Sequence, residues 1–216
     1  MTNLDPVTIA IIVANVLPSL KGFDDQYFLN KYLFNISAIK NGQHFRMFTS
    51  GFLHGDFMHL LFNMLTLYFF ADAVIYAIGA QYFLLIYIAS LLFGNVLSFY
   101  FHRNEPHYSA LGASGAVSGI LYAAILLFPS MDLYVMFIPV PVKGYIVGIL
   151  YLVFSIYGMK KQLGNIGHDA HFGGAVAGYI ITLILRPNIL VQETEIVILM
   201  AIPIIVLSIM TKMGKI

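Results

Sequence analysis

His59 and Asn63, Gly112 with Ser114, and His171 ahead of Gly174 and Gly178 are polar, ionisable or very small residues set into three separate apolar stretches of the chain. Hydrocarbon penalises a polar side chain that lacks a partner or a task, so three such sets at helical spacing point to chemistry done inside a membrane. The residue types say which chemistry. A serine hydroxyl becomes a nucleophile when a neutral imidazole takes its proton during attack and returns it to the leaving amine. Ser114 and His171 suit those two roles. Donors held in a water-poor pocket stabilise a developing oxyanion, and His59 and Asn63, four residues apart, fall on one face of a helix. The Ser114 backbone N–H, at a helix start, is a further free donor.

Each set also has a plainer reading. His59 and Asn63 suit an interhelical polar clamp worth roughly 1 kcal/mol. Ser114 suits a helix cap in front of a packing seam formed by Gly115 and Gly119. His171 opens a second stripe of small residues, Gly174 and Gly178. If the two stripes meet, Ser114 and His171 come to similar depth on parallel helices, and that contact separates the catalytic reading from the plain ones. His44, His102 and His107 fall in loops. A metal site from His54, His59, His168 and His171 lacks H-E-x-x-H and any acid at ligand spacing, so neither metal nor cofactor is expected. Asp72 is a lone acid, which disfavours an aspartyl mechanism, and Asp169 belongs near a helix end, so the expected catalytic unit is a dyad.

The elements that must hold these groups are membrane spans. The chain is 60% hydrophobic and 10% charged, with a mean hydropathy of +0.85, outside the range of soluble domains. A span needs roughly 17 to 25 apolar residues, and six stretches approach that length, at about 6–22, 57–78, 81–101, 112–128, 143–159 and 168–185. A seventh, about 196–210, contains Pro203 and is read as a further transmembrane or interfacial helix, with a span the preferred reading. The first stretch lacks a basic n-region and a cleavage pattern, so it is expected to be retained. Absence of cysteine excludes disulfides and thiolate nucleophiles. No basic run suggests nucleic acid, and the expected partner is the lipid bilayer. The first loop, about Gly22 to Gly55, mixes aromatic and charged residues and is expected to lie in the interface as short amphipathic helices. The fold class expected is all-α, a polytopic transmembrane helix bundle. Its six-span core covers residues 1–190, with a C-terminal extension at 191–216.

Taken together, H-x-x-x-N on the second span, G-A-S-G on the fourth and A-H-x-x-G-x-x-x-G on the sixth resemble the rhomboid family of intramembrane serine proteases, over about residues 7 to 185. The resemblance implies Ser114 as nucleophile and His171 as general base and acid. His59, Asn63 and the Ser114 N–H would form the oxyanion hole. Gly112 would shape the active-site turn, with Gly115, Gly174 and Gly178 as structural support. Arg46, next to Phe45 where relatives commonly carry Trp, would anchor the interfacial loop. The implied activity is endopeptidase cleavage of transmembrane protein substrates through an acyl-enzyme, in regulated intramembrane proteolysis. The implied site is a multi-pass protein of the bacterial cell membrane. The fifth span and the Lys160 to Gly167 loop would serve as gate and cap.

Three features depart from the family pattern. Ser118 stands where relatives often have an aromatic packing on the catalytic histidine, so the imidazole must be oriented from elsewhere. Ile75 replaces a frequent glutamate, with Asp72 one turn away. Counting Lys and Arg puts the first loop in the cytoplasm, whereas the family topology puts it and the active site outside; the motifs are preferred over the count. Rival readings are a catalytically silent relative that binds membrane clients, and a small transporter or channel.

Overall fold

A computed structural model describes residues 4–134, 140–163 and 167–216. Residues 164–166, inside the loop expected to act as a cap, lie outside the described residues. The chain begins with α1 (Pro6–Asp24), whose N-cap Asp5 accepts a hydrogen bond from the Val7 N–H at 2.8 Å. The first loop follows as α2 (Gln26–Tyr32), β1 (Phe34–Asn35), α3 (Ile36–Lys40), α4 (Arg46–Thr49) and a 3₁₀ turn at Ser50–Phe52. It is thus built of short helices, as the alternation of aromatic and charged residues leads one to expect.

The long helices come next: α5 (Phe57–Ile78), α6 (Ala80–His102), α7 (Ser114–Leu127), α8 (Gly144–Lys161), α9 (His168–Leu185) and, after the short α10 (Ile189–Gln192), α11 (Thr194–Lys212). The only strands among the described residues are two-residue pairs in loops: β1 with β2 (Ser109–Ala110), and β3 (Asp132–Leu133) with β4 (Val142–Lys143). The protein is an all-α membrane helix bundle. Helices α1, α5, α6 and α11 are each long and apolar enough to cross a bilayer. The stretch containing Pro203 is a continuous 19-residue helix, which at 1.5 Å per residue reaches about 28 Å, close to a hydrocarbon thickness of about 30 Å.

Helix α7 differs from its neighbours. It has 14 residues, about 21 Å, so it falls about 9 Å short of the hydrocarbon layer and the loops at its ends must fill the rest. Nearly every residue from Gly115 to Leu126 is buried, as suits a helix that is apolar on all sides. The outer helices instead turn large apolar side chains outward, such as Phe69 on α5, Val96 on α6 and Ile205 on α11.

Lipid is as apolar as leucine, so nothing like the hydrophobic effect draws these helices together; close van der Waals packing does. Glycine makes the closest approach possible. A Cβ at Gly174 would overlap the Gly115 carbonyl, and one at Gly178 the Gly119 carbonyl. The paired positions advance together along both helices, so α7 and α9 run parallel and α8 returns the chain between them. On the other side of α9, a Cβ at Gly173 would lie 2.9 Å from the Gly94 Cα of α6. Helix α11 closes the bundle against α8 and α9, where the Tyr179 hydroxyl donates to the Val197 carbonyl at 2.8 Å.

Candidate active site

Ser114 is the first residue of α7 and His171 lies in the first turn of α9, so the parallel glycine seam brings both helix starts to one end of the bundle. Ser114 Oγ and His171 Nε2 are 2.6 Å apart, across 57 residues of sequence. The hydroxyl has the proton to donate and a neutral imidazole has a lone pair at Nε2, so the contact has the geometry that proton transfer from serine to imidazole needs.

The turn before Ser114 is made by Gly112, at φ +127°, a conformation that side chains disfavour. Space is also lacking there. A Cβ at position 112 would lie 2.7 Å from His59 Cε1. His59 therefore sits directly over the turn that carries Ser114. It belongs to the first turn of α5, whose N-cap Asp56 accepts the His59 N–H at 2.8 Å. Asn63, one turn on, is buried, and its amide donates to the His59 carbonyl at 2.9 Å, leaving its second N–H for another acceptor. The Gly112 N–H is fixed by the Ser50 carbonyl at 3.0 Å, and Asn95 of α6 holds Ser50 Oγ at 3.2 Å and the Met47 carbonyl at 2.7 Å.

Arg46 lies away from this cluster, in the first loop. Its guanidinium is buried, donating to the carbonyls of Asn30 and Leu33 and to Gln43 Oε1, each at 2.8 Å. Burial lowers its pKa. The loop it ties reaches the turn before Ser114 through β1 and β2, where Phe34 faces Ala110 and Asn35 faces Ser109.

Two residues to which the sequence reading gave no part in the dyad or the oxyanion hole join the site. His54 is fully buried; its Nδ1 lies 2.9 Å from Ser19 Oγ on α1, and its Nε2 accepts the Ala113 N–H at 3.4 Å. With Nε2 accepting, Nδ1 carries the proton and donates to Ser19, which in turn donates to the Phe52 carbonyl. This arrangement requires the neutral ring. Burial first, and then the neighbouring His59, push the His54 pKa down to about 3 against the opposing pull of Asp56. His54 also meets His59 edge to face, with ring centroids 4.9 Å apart.

The second is Tyr151 of α8. Its ring lies nearly parallel to the His171 imidazole, at 5.9 Å between centroids and 16° between planes. Its hydroxyl is 2.5 Å from Ser118 Oγ. The only hints in the sequence are the serine at position 118 and the aromatic character of the fifth span.

A cavity of about 460 Å³ is lined by His102, Tyr108, Gly158, His168 and Asp169, among others. Asp169 is buried and 3.6 Å from His102 Nε2, and the His102 ring stacks on Tyr108 with centroids 3.5 Å apart. Asp169 thus pairs with the end of α6, and no hydrogen bond links it to His171. Among the described residues no group of three or more His, Asp or Glu is arranged to hold a metal ion.

The family model described as "Rhomboid domain" matches residues 41–188. The chain is 30% identical over 191 residues to the RHOMBOID-like protein 12, mitochondrial, of Arabidopsis thaliana, covering 81% of this chain and 56% of that protein. It is 30% identical over 134 residues to the Rhomboid protein 1, mitochondrial, of Saccharomyces cerevisiae, covering 61% and 39%. It is 34% identical over 143 residues to the Rhomboid protease GluP of Bacillus subtilis, covering 66% and 26%. The chain therefore spans about half, or less, of the length of these relatives. A bundle built on a parallel glycine seam, with a family match that takes in His59, Ser114 and His171 alike, leads to one conclusion: this chain belongs to the rhomboid family.

Proposed function

We propose that this protein is an intramembrane serine endopeptidase that cuts transmembrane protein substrates through a Ser114–His171 dyad. The observation that carries the reading is the 2.6 Å contact between Ser114 Oγ and His171 Nε2 at the start of α7. The Ser114 oxygen attacks the substrate carbonyl carbon while His171 Nε2 takes the hydroxyl proton. The carbonyl oxygen becomes an oxyanion facing donors from His59, Asn63 and the Ser114 N–H. Collapse of that intermediate breaks the C–N bond, His171 returns the proton to the leaving amine, and an acyl-enzyme remains. Water, activated by His171, then hydrolyses the ester.

A peptide bond inside a helix is shielded by its own hydrogen bonds, so the substrate segment must unwind locally before Ser114 reaches it. Residues 1–190 are read as the catalytic core and residues 191–216, which contain α11, as an extension. Likeness to a rhomboid protease of Bacillus subtilis favours the bacterial cell membrane, and the mitochondrial names of the plant and yeast relatives run against it; fractionation of the native source decides between them.

The test uses purified protein in detergent with a fluorogenic transmembrane substrate and a serine-directed fluorophosphonate, beside Ser114→Ala and His171→Ala. Cleavage and labelling by the wild type alone are expected. Cleavage that persists in either variant overturns the dyad, and a wild type that binds substrate without cleavage or labelling makes the chain a silent client binder.

A further inference from the structure

The two members of the dyad sit on α7 and α9, yet a single side chain from a third helix touches the surroundings of both. The Tyr151 ring of α8 lies nearly parallel to the His171 imidazole in an offset stack, with centroids 5.9 Å apart. Its hydroxyl meets Ser118 Oγ, which itself donates to the Ser114 carbonyl at 2.6 Å. Because the Ser118 proton is engaged there, the short contact is made by the Tyr151 O–H, which donates to Ser118. The chain of donation runs from Tyr151 to Ser118 to the backbone of the nucleophile itself.

An imidazole on a helix start has freedom about both of its side-chain torsions, and only one setting aims Nε2 at the hydroxyl. Helix α9 is mainly glycine and alanine from Gly173 to Gly178, and the aromatic ring it brings near His171 is that of His168. His168 meets His171 only edge to face, at 6.3 Å between centroids. The parallel ring of Tyr151 fixes one face of the imidazole, a contact worth about 0.5–1.5 kcal/mol by itself.

We infer that Tyr151 is a positioning residue for the dyad: its ring sets the imidazole, its hydroxyl sets the first turn of α7 through Ser118, and the seating of α8 thereby governs whether Ser114 and His171 face each other. It touches no reacting atom. This inference rests on the dyad reading above and deepens it.

The experiment compares wild type, Tyr151→Phe, Tyr151→Leu and Ser118→Ala as full chains in detergent, with Ser114→Ala as the blank. Fluorophosphonate labelling is followed in time, so that the rate constant reports the armed state of Ser114 and the end-point reports the folded fraction. Substrate kinetics are measured beside it. Tyr151→Leu should slow labelling and lower kcat by about 10- to 100-fold, as small misplacements of a base do, while the end-point stays at the wild-type level and KM moves little. Tyr151→Phe keeps the ring and should recover most of that loss, remaining within about 2- to 10-fold of wild type, the cost of one hydrogen bond. Ser118→Ala should match Tyr151→Phe.

A Tyr151→Leu protein that labels at the wild-type rate overturns the inference while leaving the dyad intact. So does one whose end-point falls in step with activity at an unchanged rate constant, which would make Tyr151 a packing residue. Cleavage by the Ser114→Ala blank overturns the dyad reading and this inference with it.

Discussion

One amide N–H of Asn63 is already engaged by the His59 carbonyl, so its orientation is set before any substrate arrives. A donor fixed in advance in a water-poor site is worth more than one that must reorganise, and Asn63→Ala should lower turnover by about 10- to 1000-fold with a smaller change in KM. Unchanged kcat would return Asn63 to the role of helix clamp. At His54 the neutral ring is required by both of its hydrogen bonds, and its pKa, depressed to about 3, stands below that of an exposed imidazole. The unfolded chain therefore binds a proton near pH ~6.5 that the folded chain refuses, and the stabilisation is present above ~6.5 and lost as pH falls toward 3. The thermal midpoint should drop over that window, and His54→Gln should flatten the slope. The sequence sets His54 apart from His44 and His107 only as a member of a disfavoured metal set; its burial between α1 and the turn before Ser114 gives it this role, and that is a property of the packed bundle.

Among the elements, the helices were the most legible. Apolar length predicts α5 at about 57–78 and α9 at about 168–185, and the structure has Phe57–Ile78 and His168–Leu185. The reason is that lipid demands continuous apolar length, which is a local property of sequence. What periodicity does not disclose is which helix faces which, and Tyr151 is one of fourteen tyrosines until α8 is seated against α9. The glycine stripes are the exception, because close approach leaves a mark in the sequence. At Gly178 a Cβ would run into the Gly119 carbonyl, backbone that cannot move aside. Gly178→Leu should therefore separate α7 from α9 and cost about 3 kcal/mol or more, read as a lower thermal midpoint together with a smaller fluorophosphonate end-point. A variant with a wild-type midpoint would mean that the seam carries little of the packing.

For the whole molecule, the first loop is more than a connection. Arg46 gathers Asn30, Leu33 and Gln43, Thr49 holds the Tyr32 carbonyl at 2.7 Å, and the β1–β2 pair hands this frame to the nucleophile turn. Arg46→Ala leaves two carbonyls without a charged donor, so it should cost about 3 kcal/mol and open the loop to protease while α5 to α9 stay resistant. Equal protease resistance of the loop in the variant would show that other contacts suffice. The sequence carried the anchoring role only through resemblance, since Phe45 with Arg46 is a weak pattern and the acceptors lie up to 16 residues away.

The parallel pairing of α7 with α9 also has a consequence for biogenesis. Helices enter the bilayer in chain order, and parallel neighbours cannot be consecutive, so Ser114 is made and inserted 57 residues ahead of His171. A ribosome-bound chain that has released only α1 to α8 holds a serine with an unaided hydroxyl. On the dyad reading proposed above, Ser114 therefore stays without its base, and inert toward other nascent membrane proteins, until α9 has followed it into the bilayer.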